Sequence, residues 1–427
     1  MNVRPKLFRD PAHDIISFNL DEPVDRGLFE LLSAPEMQRL RRIRQLGMSF
    51  LVYPGAEHSR FCHSLGVCHL ARRMYAQLFP RCEDESRRFV ATASALLHDL
   101  GHGAFSHVME RITGVHHERI TRDAILDPRG NIKPILDSFG ADFATRVVDC
   151  LEKRGPGTLS AIVSSQLDAD RMDYLLRDRL ATGVKIGTYD AERIICMLEF
   201  DPDYVMVNER AMEAVEGYLL ARFHMYKQVY LHKATRSAER MLAAAVARAQ
   251  EVIGEAALEQ GDEPLDHLLA GRALRTEQHL AIDDCDLWAA LKRWSRHPDS
   301  VLAQLSRGLV DRRLYKTIEL DPHDPRDAPA IVEDARQAVE KAGGHRRYHL
   351  LVDTGADSPY VPYQPGLKTA PILIRRRSGS AVPIERVSAV VRLLGESSHE
   401  TLRICVAPEF RDAVAKVAGK SGAPSLL

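Results

Sequence analysis

A histidine and an aspartate stand side by side at the end of an apolar run, Phe89-Val90-Ala91-Thr92-Ala93-Ser94-Ala95-Leu96-Leu97-His98-Asp99, and a Gly101-His102-Gly103 turn follows. The run has the composition of a buried helix. Ionisable groups at its end are costly unless a charge partner or a metal takes them up. One imidazole and one carboxylate from consecutive residues can reach the same cation, which makes half of a metal site. The other half is drawn from His63 and an aspartate of the segment Asp168-Ala169-Asp170-Arg171-Met172-Asp173. Two neutral imidazoles and two carboxylates suit iron, manganese or zinc, and leave positions for water or substrate oxygens. Spacing alone does not choose Asp170 over Asp168 or Asp173. Taken singly, a histidine on an apolar helix is more often a hydrogen-bonded core residue than a ligand. The adjacent pair is what favours a metal.

Three predicted helices must carry these residues. After a Tyr53-Pro54-Gly55 turn, Ser59-Arg60-Phe61-Cys62-His63 enters a helix through Leu65, Val67, Leu70 and Met74, with Arg60 and His63 on one face. The His98-Asp99 run is the second. The third starts near Ser164, where Ser165 and Asp168 have capping-box spacing, and sets Asp170, Tyr174 and Arg177 along one stripe. Upstream, the pattern predicts a helix over Ser33 to Leu46, capped by Ser33, with Pro35 in its first turn. Arg39, Arg41, Arg42 and Arg44 would form its outer face, as well read as solvated as anion-binding. Phe105 to Ile112 is helical and ended by Gly114, with His116 and His117 just beyond. Long helical patterns cover Val215 to Val252 and Leu287 to Leu309.

Length allows a large core and a second, smaller unit. The 58 Lys and Arg against 59 Asp and Glu leave a net charge of −1, which argues against a polybasic nucleic-acid or membrane binder. No apolar run approaches the roughly 20 residues that cross a bilayer, and Met1 to Asp10 lacks a signal-peptide pattern. Seven cysteines without close pairs read as reduced thiols, hence a cytoplasmic protein. The Pro- and Asp-rich segment Asp321 to Pro329 marks a boundary. Beyond it Tyr348–Val352, Ile372–Ile374 and Leu402–Val406 read as strands with helices between. The expected organisation is a mainly α core over residues 1–320 and a small α+β region over 321–427. Asp353-Thr354-Gly355 copies the aspartic-protease tripeptide, but a second carboxylate in like context is absent, and a turn after a strand accounts for it.

The H…HD…D pattern of His63, His98-Asp99 and Asp170 resembles that of the HD-domain metal phosphohydrolases. Longer stretches narrow the resemblance: Gln38-Arg39-Leu40-Arg41-Arg42-Ile43-Arg44-Gln45-Leu46-Gly47, Tyr53-Pro54-Gly55-Ala56, Arg60-Phe61-Cys62-His63-Ser64-Leu65-Gly66-Val67 and His98-Asp99-Leu100-Gly101-His102-Gly103-Ala104-Phe105-Ser106-His107. They are similar to the deoxynucleoside triphosphate triphosphohydrolases, in the branch of the sterile-alpha-motif-and-HD-domain enzyme and its bacterial relatives. The likeness runs from about Lys6 to Lys316. The sterile-alpha-motif domain is not among the matching segments.

The resemblance implies His63, His98, Asp99 and Asp170 as ligands of iron, manganese or zinc, with magnesium accompanying a triphosphate. It implies Arg60, His102, His107, His117, Arg171, Tyr174 and Arg222 around that triphosphate, with Asp168 beside Arg171, and fixed cations suit the charge. Arg171 stands where the family has Lys. Gln45 and Asp178 would bond a 3′-hydroxyl, while Leu46 and Tyr230 would crowd a 2′-hydroxyl. His107 would be the general acid for the 5′-oxygen, oriented by Glu110, where the family has Asp. The products would be deoxynucleoside and inorganic triphosphate. Lys6, Gln38, Arg41, Arg312 and Lys316 match a guanine-nucleotide activator site, and Arg193 and Arg210 a neighbouring one. Ser33 replaces the guanine-reading Asp, so activation should be weak, absent or not guanine-selective. Leu231 replaces a Gln near the base. A homo-oligomer, dimer or tetramer, is expected. Competing readings are an HD phosphohydrolase on another phosphate ester, and a nucleotide or single-stranded nucleic-acid binder with little turnover.

Overall fold

The computed structural model describes residues 5–81, 84–154, 157–202, 204–320, 327–357, 360–362, 371–396 and 399–419. At its centre the Arg60–Leu78 helix packs against both Glu85–Leu97 and Ala169–Thr182. Every residue from Phe89 to Leu97 is buried, which is why that helix shows no polar face. Asp84 caps it by accepting from the Arg87 N–H at 3.1 Å. Asp168 caps the Ala169–Thr182 helix by accepting from the Arg171 N–H at 2.7 Å, and Gly183 ends it in the left-handed conformation. The cap is therefore Asp168 and not Ser165, whose own N–H donates to Asp168.

The strands are β1 (Lys6–Asp10), β2 (Asp14–Phe18), β3 (Leu198–Phe200), β4 (Val205–Asn208), β5 (Lys316–Glu319), β6 (Leu350–Asp357), β7 (Leu373–Arg375), β8 (Ala381–Pro383) and β9 (His399–Val406). β1 and β2 form a hairpin whose Ile16 and Phe18 join the central core. β7 pairs in parallel with β4, giving a sheet β3-β4-β7-β8, and β9 lies between β5 and β6. Two sheets thus run across the expected division at residue 320. The boundary residues 321–326 lie outside the described residues. A second apolar cluster forms around the Lys233–Val252 helix, where Met241, Leu242 and Ala245 meet Leu287, Leu291, Leu302 and Leu305. No helix among the described residues is long and apolar enough to cross a membrane.

Several expectations need correction. The helix expected over Ser33 to Leu46 is not continuous. Pro23–Ser33 ends at Ser33, whose hydroxyl donates back to the Phe29 carbonyl at 2.8 Å. Ala34 is forced out of the helical region by Pro35, at ψ 143°. A short Pro35–Gln38 turn and a 3-10 turn over Arg39–Arg42 follow, and Ile43 is extended. The arginines of this stretch do not share one face, since Arg41 and Arg42 are exposed while Arg44 is only partly so. Arg39 is buried and donates to the carbonyls of Leu100, His102 and Ile282, Arg42 pairs with Asp283, and Arg44 with Glu57 and Asp284. Arg41 lies 3.6 Å over the Phe61 ring.

The expected helix from Val215 to Val252 is broken. Met212–Met225 runs into a π-helical turn at Tyr226–Tyr230, and Lys233–Val252 starts afresh. Leu287 to Leu309 likewise divides into Asp284–Trp294 and Ser300–Val310, the second capped by Asp299. Asp353-Thr354-Gly355 lies within β6 rather than in a turn. The Asp353 carboxylate is fully buried and accepts from Arg236 at 2.7 Å and Arg240 at 2.9 Å.

Candidate active site

His63 lies on the first turn of its helix, His98 and Asp99 just past the end of theirs, and Asp170 on the first turn of the third. The three ends converge. His63 Nε2 is 3.1 Å from Asp170 Oδ1, 3.2 Å from His98 Nε2 and 3.7 Å from Asp99 Oδ2. His98 Nε2 is 3.3 Å from Asp99 and 3.6 Å from Asp170. The far nitrogens are already committed: His63 Nδ1 lies 2.8 Å from Asp173 Oδ2 and His98 Nδ1 2.9 Å from the Ala95 carbonyl. Both acceptors require N–H at Nδ1, so in the neutral rings both Nε2 atoms present lone pairs to each other and to two carboxylates. One donor atom each from His63, His98 and Asp99 lies within 4.8 Å of the others, with Asp170 beside the two histidines, a set that fits a divalent cation. Without it, burial lowers the His63 pKa, but Asp170 and Asp173 outweigh burial and push it up to about 10.

Of the three aspartates left open by spacing, Asp170 alone faces this point. Asp168 is fully buried as a helix cap and ion-pairs Arg171, so it reaches the site only through that guanidinium. Asp173 stands one layer out, holding His63 and His13 and bonded to Arg177, which also reaches Asp10 at 2.8 Å. The four-residue spacing of Asp173 and Arg177 was the available signal for this ion pair. Gly66 is what lets it fit, since a Cβ there would stand 1.9 Å from Asp173 Oδ1 and 2.4 Å from an Arg177 nitrogen.

Beside this cluster, Arg60 bonds Asp99 and donates from Nε to Ser106 Oγ at 2.8 Å. Burial would raise the Asp99 pKa, but Arg60, then His98 and His102, hold it well below the usual range. His102 Nε2 is 3.4 Å from Asp99, and its ring stacks on that of His117 at 3.7 Å. Glu110 bonds His117 Nδ1 and lies 3.4 Å from His107 Nδ1, so it orients two histidines rather than His107 alone. Burial works against the Glu110 charge, yet the two histidines hold its pKa far below normal. One donor atom each from His102, His107, Glu110 and His117 falls within 4.8 Å of the others. The Nδ1 atoms of His102, His107 and His117 all face Glu110 Oε1, so this carboxylate is the common centre of the three rings.

A cleft of about 300 Å³ opens on one side, lined by Gln45, Leu46, Arg60, His107, Tyr174, Asp178, Tyr230 and Leu231. Asp178 accepts from Tyr230 Oη at 2.8 Å and lies 2.8 Å from His58 Nε2. Tyr174 and Tyr230 meet edge to face at 5.9 Å. Gln45 Oε1 is buried with no hydrogen-bond partner, an acceptor awaiting a donor. His58, Ser106 and Tyr226 also belong to this wall or its support and were not singled out by sequence. Arg222 is buried near Tyr174 and Arg171. The remaining expected residues lie apart. Gln38 bonds Arg41, Arg193 bonds the Arg210 carbonyl, Arg312 bonds the Leu51 carbonyl, and Lys6 and Lys316 are exposed on β1 and β5.

A helical core that gathers His, His-Asp and Asp from three helix ends around one point has the architecture of an HD domain. The HD domain family matches residues 60–177 and the HD associated region matches residues 189–421. The chain belongs to this family of HD-domain proteins. It is 36% identical over 391 residues to the uncharacterized protein YwfO of Bacillus subtilis, covering 90% of this chain and 88% of that one. It is 30% identical over 401 residues to the deoxynucleoside triphosphate triphosphohydrolase SAMHD1 of Mus musculus, covering 79% of this chain and 57% of that protein. Other relatives are matched over about half their length. The crystal structure of a phosphohydrolase from Bacteroides thetaiotaomicron superposes with a TM-score of 0.80 at 31% identity, covering 94% of this chain and all of that one.

Proposed function

We propose that this protein is a metal-dependent deoxynucleoside triphosphate triphosphohydrolase, releasing deoxynucleoside and inorganic triphosphate. The observation that carries the reading is the pairing of a His/Asp cluster fit for a metal with an adjoining cleft lined by Leu46, Tyr230 and Gln45, whose carbonyl has no hydrogen-bond partner. A sugar 3′-hydroxyl is the kind of donor Gln45 lacks, and the two bulky side chains leave little room for a 2′-hydroxyl. His58 and Tyr230 hold Asp178 in place to accept from the same hydroxyl.

When bound by His63, His98, Asp99 and Asp170, a divalent cation supplies a Lewis acid that makes water nucleophilic near neutral pH and neutralises phosphoryl charge. Iron, manganese and zinc suit the donor set, with magnesium on the polyphosphate. Arg60, His102, His117, Arg171, Tyr174 and Arg222 bind the phosphates, and the fixed charges among them stabilise the negative charge on the phosphoryl oxygens as the 5′-oxygen leaves. His107 gives its proton to the 5′-oxygen, with Glu110 fixing its ring. The same reading includes a homo-oligomer with nucleotide activation through Lys6, Gln38, Arg41, Arg193, Arg210, Arg312 and Lys316. Free cysteines among the described residues support a cytoplasmic setting.

The test is a panel of deoxy- and ribonucleoside triphosphates, singly and mixed, with manganese- or iron-loaded protein and resolved products. Deoxynucleoside plus intact triphosphate is expected, whereas pyrophosphate plus monophosphate would exclude this leaving group. Tyr230→Ala should raise ribonucleotide turnover relative to deoxyribonucleotide by about 10-fold or more, the scale of losing a steric contact in a pocket.

A further inference from the structure

A second cluster adjoins the first and is richer in nitrogen. His102, His107 and His117 stand as three walls: the His107 ring meets the other two edge to face, with centroids 5.0 and 5.8 Å away, and those two stack on each other. Glu110 Oε1 is bonded to His117 Nδ1 and lies 3.4 Å from His107 Nδ1 and 4.0 Å from His102 Nδ1. A glycine makes the meeting possible. A Cβ on Gly101 would stand 2.2 Å from the His117 carbonyl oxygen and 2.4 Å from the Thr121 nitrogen. Any larger residue there would push the His117–Leu126 helix, and the His117 ring with it, off His102.

We propose that His102, His107, Glu110 and His117 form a second metal site, one that takes zinc or a similar dication. Three imidazoles and one carboxylate are a donor set for four-coordinate zinc. Harder cations, which demand oxygen ligands, suit it poorly. His102 supplies the reason for an ion rather than hydrogen bonds alone. Its Nε2 faces Asp99 at 3.4 Å, which calls for an N–H on that side and leaves a lone pair on Nδ1. That nitrogen is buried, has no hydrogen-bond partner, and is turned toward a carboxylate oxygen, another acceptor. A cation between them satisfies both. The Nδ1 hydrogens that His107 and His117 offer Glu110 move to Nε2 or to water as the ion takes their place. The His107 side chain is 66% exposed and gives the ion its way in. His102 then spans two metal positions, with Nε2 toward Asp99 and Nδ1 toward Glu110. The spacing of these residues along the chain matches no short ligand motif, so sequence did not suggest the site.

The second site does not depend on the proposed reaction and is tested without turnover. Equilibrium dialysis against zinc should find two ions per native chain. It should find one in His107→Gln, whose exposed side chain can be changed without disturbing the core, and one in Glu110→Gln. His116→Gln, 86% exposed and outside the set although next to His117, should keep both ions. A His98→Gln chain lacks a ligand of the first centre, yet it should still bind one cobalt ion and show the strong visible bands of four-coordinate cobalt. Native zinc content in both His107→Gln and Glu110→Gln, an equal loss in His116→Gln, or absence of the cobalt bands overturns the proposal. Should the substrate panel show no deoxynucleotide cleavage while His107→Gln still lacks the second ion, the site stands and the proposed reaction falls.

Discussion

His63 does not act alone. Its Nε2 is usable as a ligand because Asp173 fixes the proton on Nδ1, and Asp173 is itself held by His13 and Arg177. Outer carboxylates of this kind usually govern metal affinity as strongly as a weak ligand does. Asp173→Asn should therefore lower affinity for Mn²⁺ by about 10- to 100-fold, read by equilibrium dialysis, with little change in circular dichroism. Unchanged affinity would show that packing alone orients the ring. Gly66→Ala should be harsher, because its Cβ would collide with both members of the buried Asp173–Arg177 pair. Breaking a buried pair typically costs about 3–5 kcal/mol, so a urea midpoint close to native would contradict this packing account. At this scale the sequence was legible wherever chemistry demanded two groups together. His98-Asp99 announced itself by adjacency. Asp170 could not be told from Asp168 and Asp173, because the three lie within about one and a half turns of one another and only the helix start decides which points inward.

The elements position the site through their ends, and ends are where sequence patterns are least informative. The central helices were legible from continuous apolar runs and caps. The break at Ala34 and the π turn at Tyr226–Tyr230 were not, since apolar periodicity continues straight through both while the backbone departs from it. The turn before His107 is a further case. Phe105 and Ser106 both have positive φ, at 51° and 59°, without being glycine. The turn is held by Asp284, which accepts from the Phe105 N–H at 2.7 Å and the Arg44 N–H at 3.0 Å, and by Ser106 Oγ, which donates to the Arg44 carbonyl. Asp284 thus fixes the start of the helix that presents His107, from a distant part of the chain. Asp284→Ala should release the turn and reduce kcat by about 100-fold, the usual penalty for misplacing a reacting group by an ångström, while Mn²⁺ stoichiometry stays native. Equal loss of metal and turnover would mean that the whole site, not this turn, had collapsed.

At the scale of the whole molecule, the expected split into a helical core and an α+β tail captured composition better than connectivity. Strand-like segments were recognised in the tail, but pairing between β4 and β7 joins residues that no local pattern links. Acid stability is also a property of the assembled core. His279 is 3% exposed, and burial, followed by the charge of Arg39, lowers its pKa from 6.5 to about 4. The fold holds the neutral ring, so its contribution is intact above pH 6.5 and is lost as pH falls toward 4. The loss is on the order of 3 kcal/mol by pH 4. Urea unfolding between pH 7 and 4 should show a shallower decline for His279→Gln than for the native chain; identical slopes would place the acid sensitivity elsewhere.

The parallel pairing of β7 with β4, and the seating of β9 between β5 and β6, also set an order of events during synthesis. Asp170, the last residue of the His63, His98, Asp99 and Asp170 cluster, emerges from the ribosome well before β9 is made, by on the order of ten seconds or more at ordinary elongation rates. Until β7 is made β4 has an edge without its neighbour, and until β9 is made the Leu231 carbonyl lacks its Arg403 donor. All four side chains of the His/Asp cluster are thus synthesised while the last strands, which complete two of the sheets, are still to come.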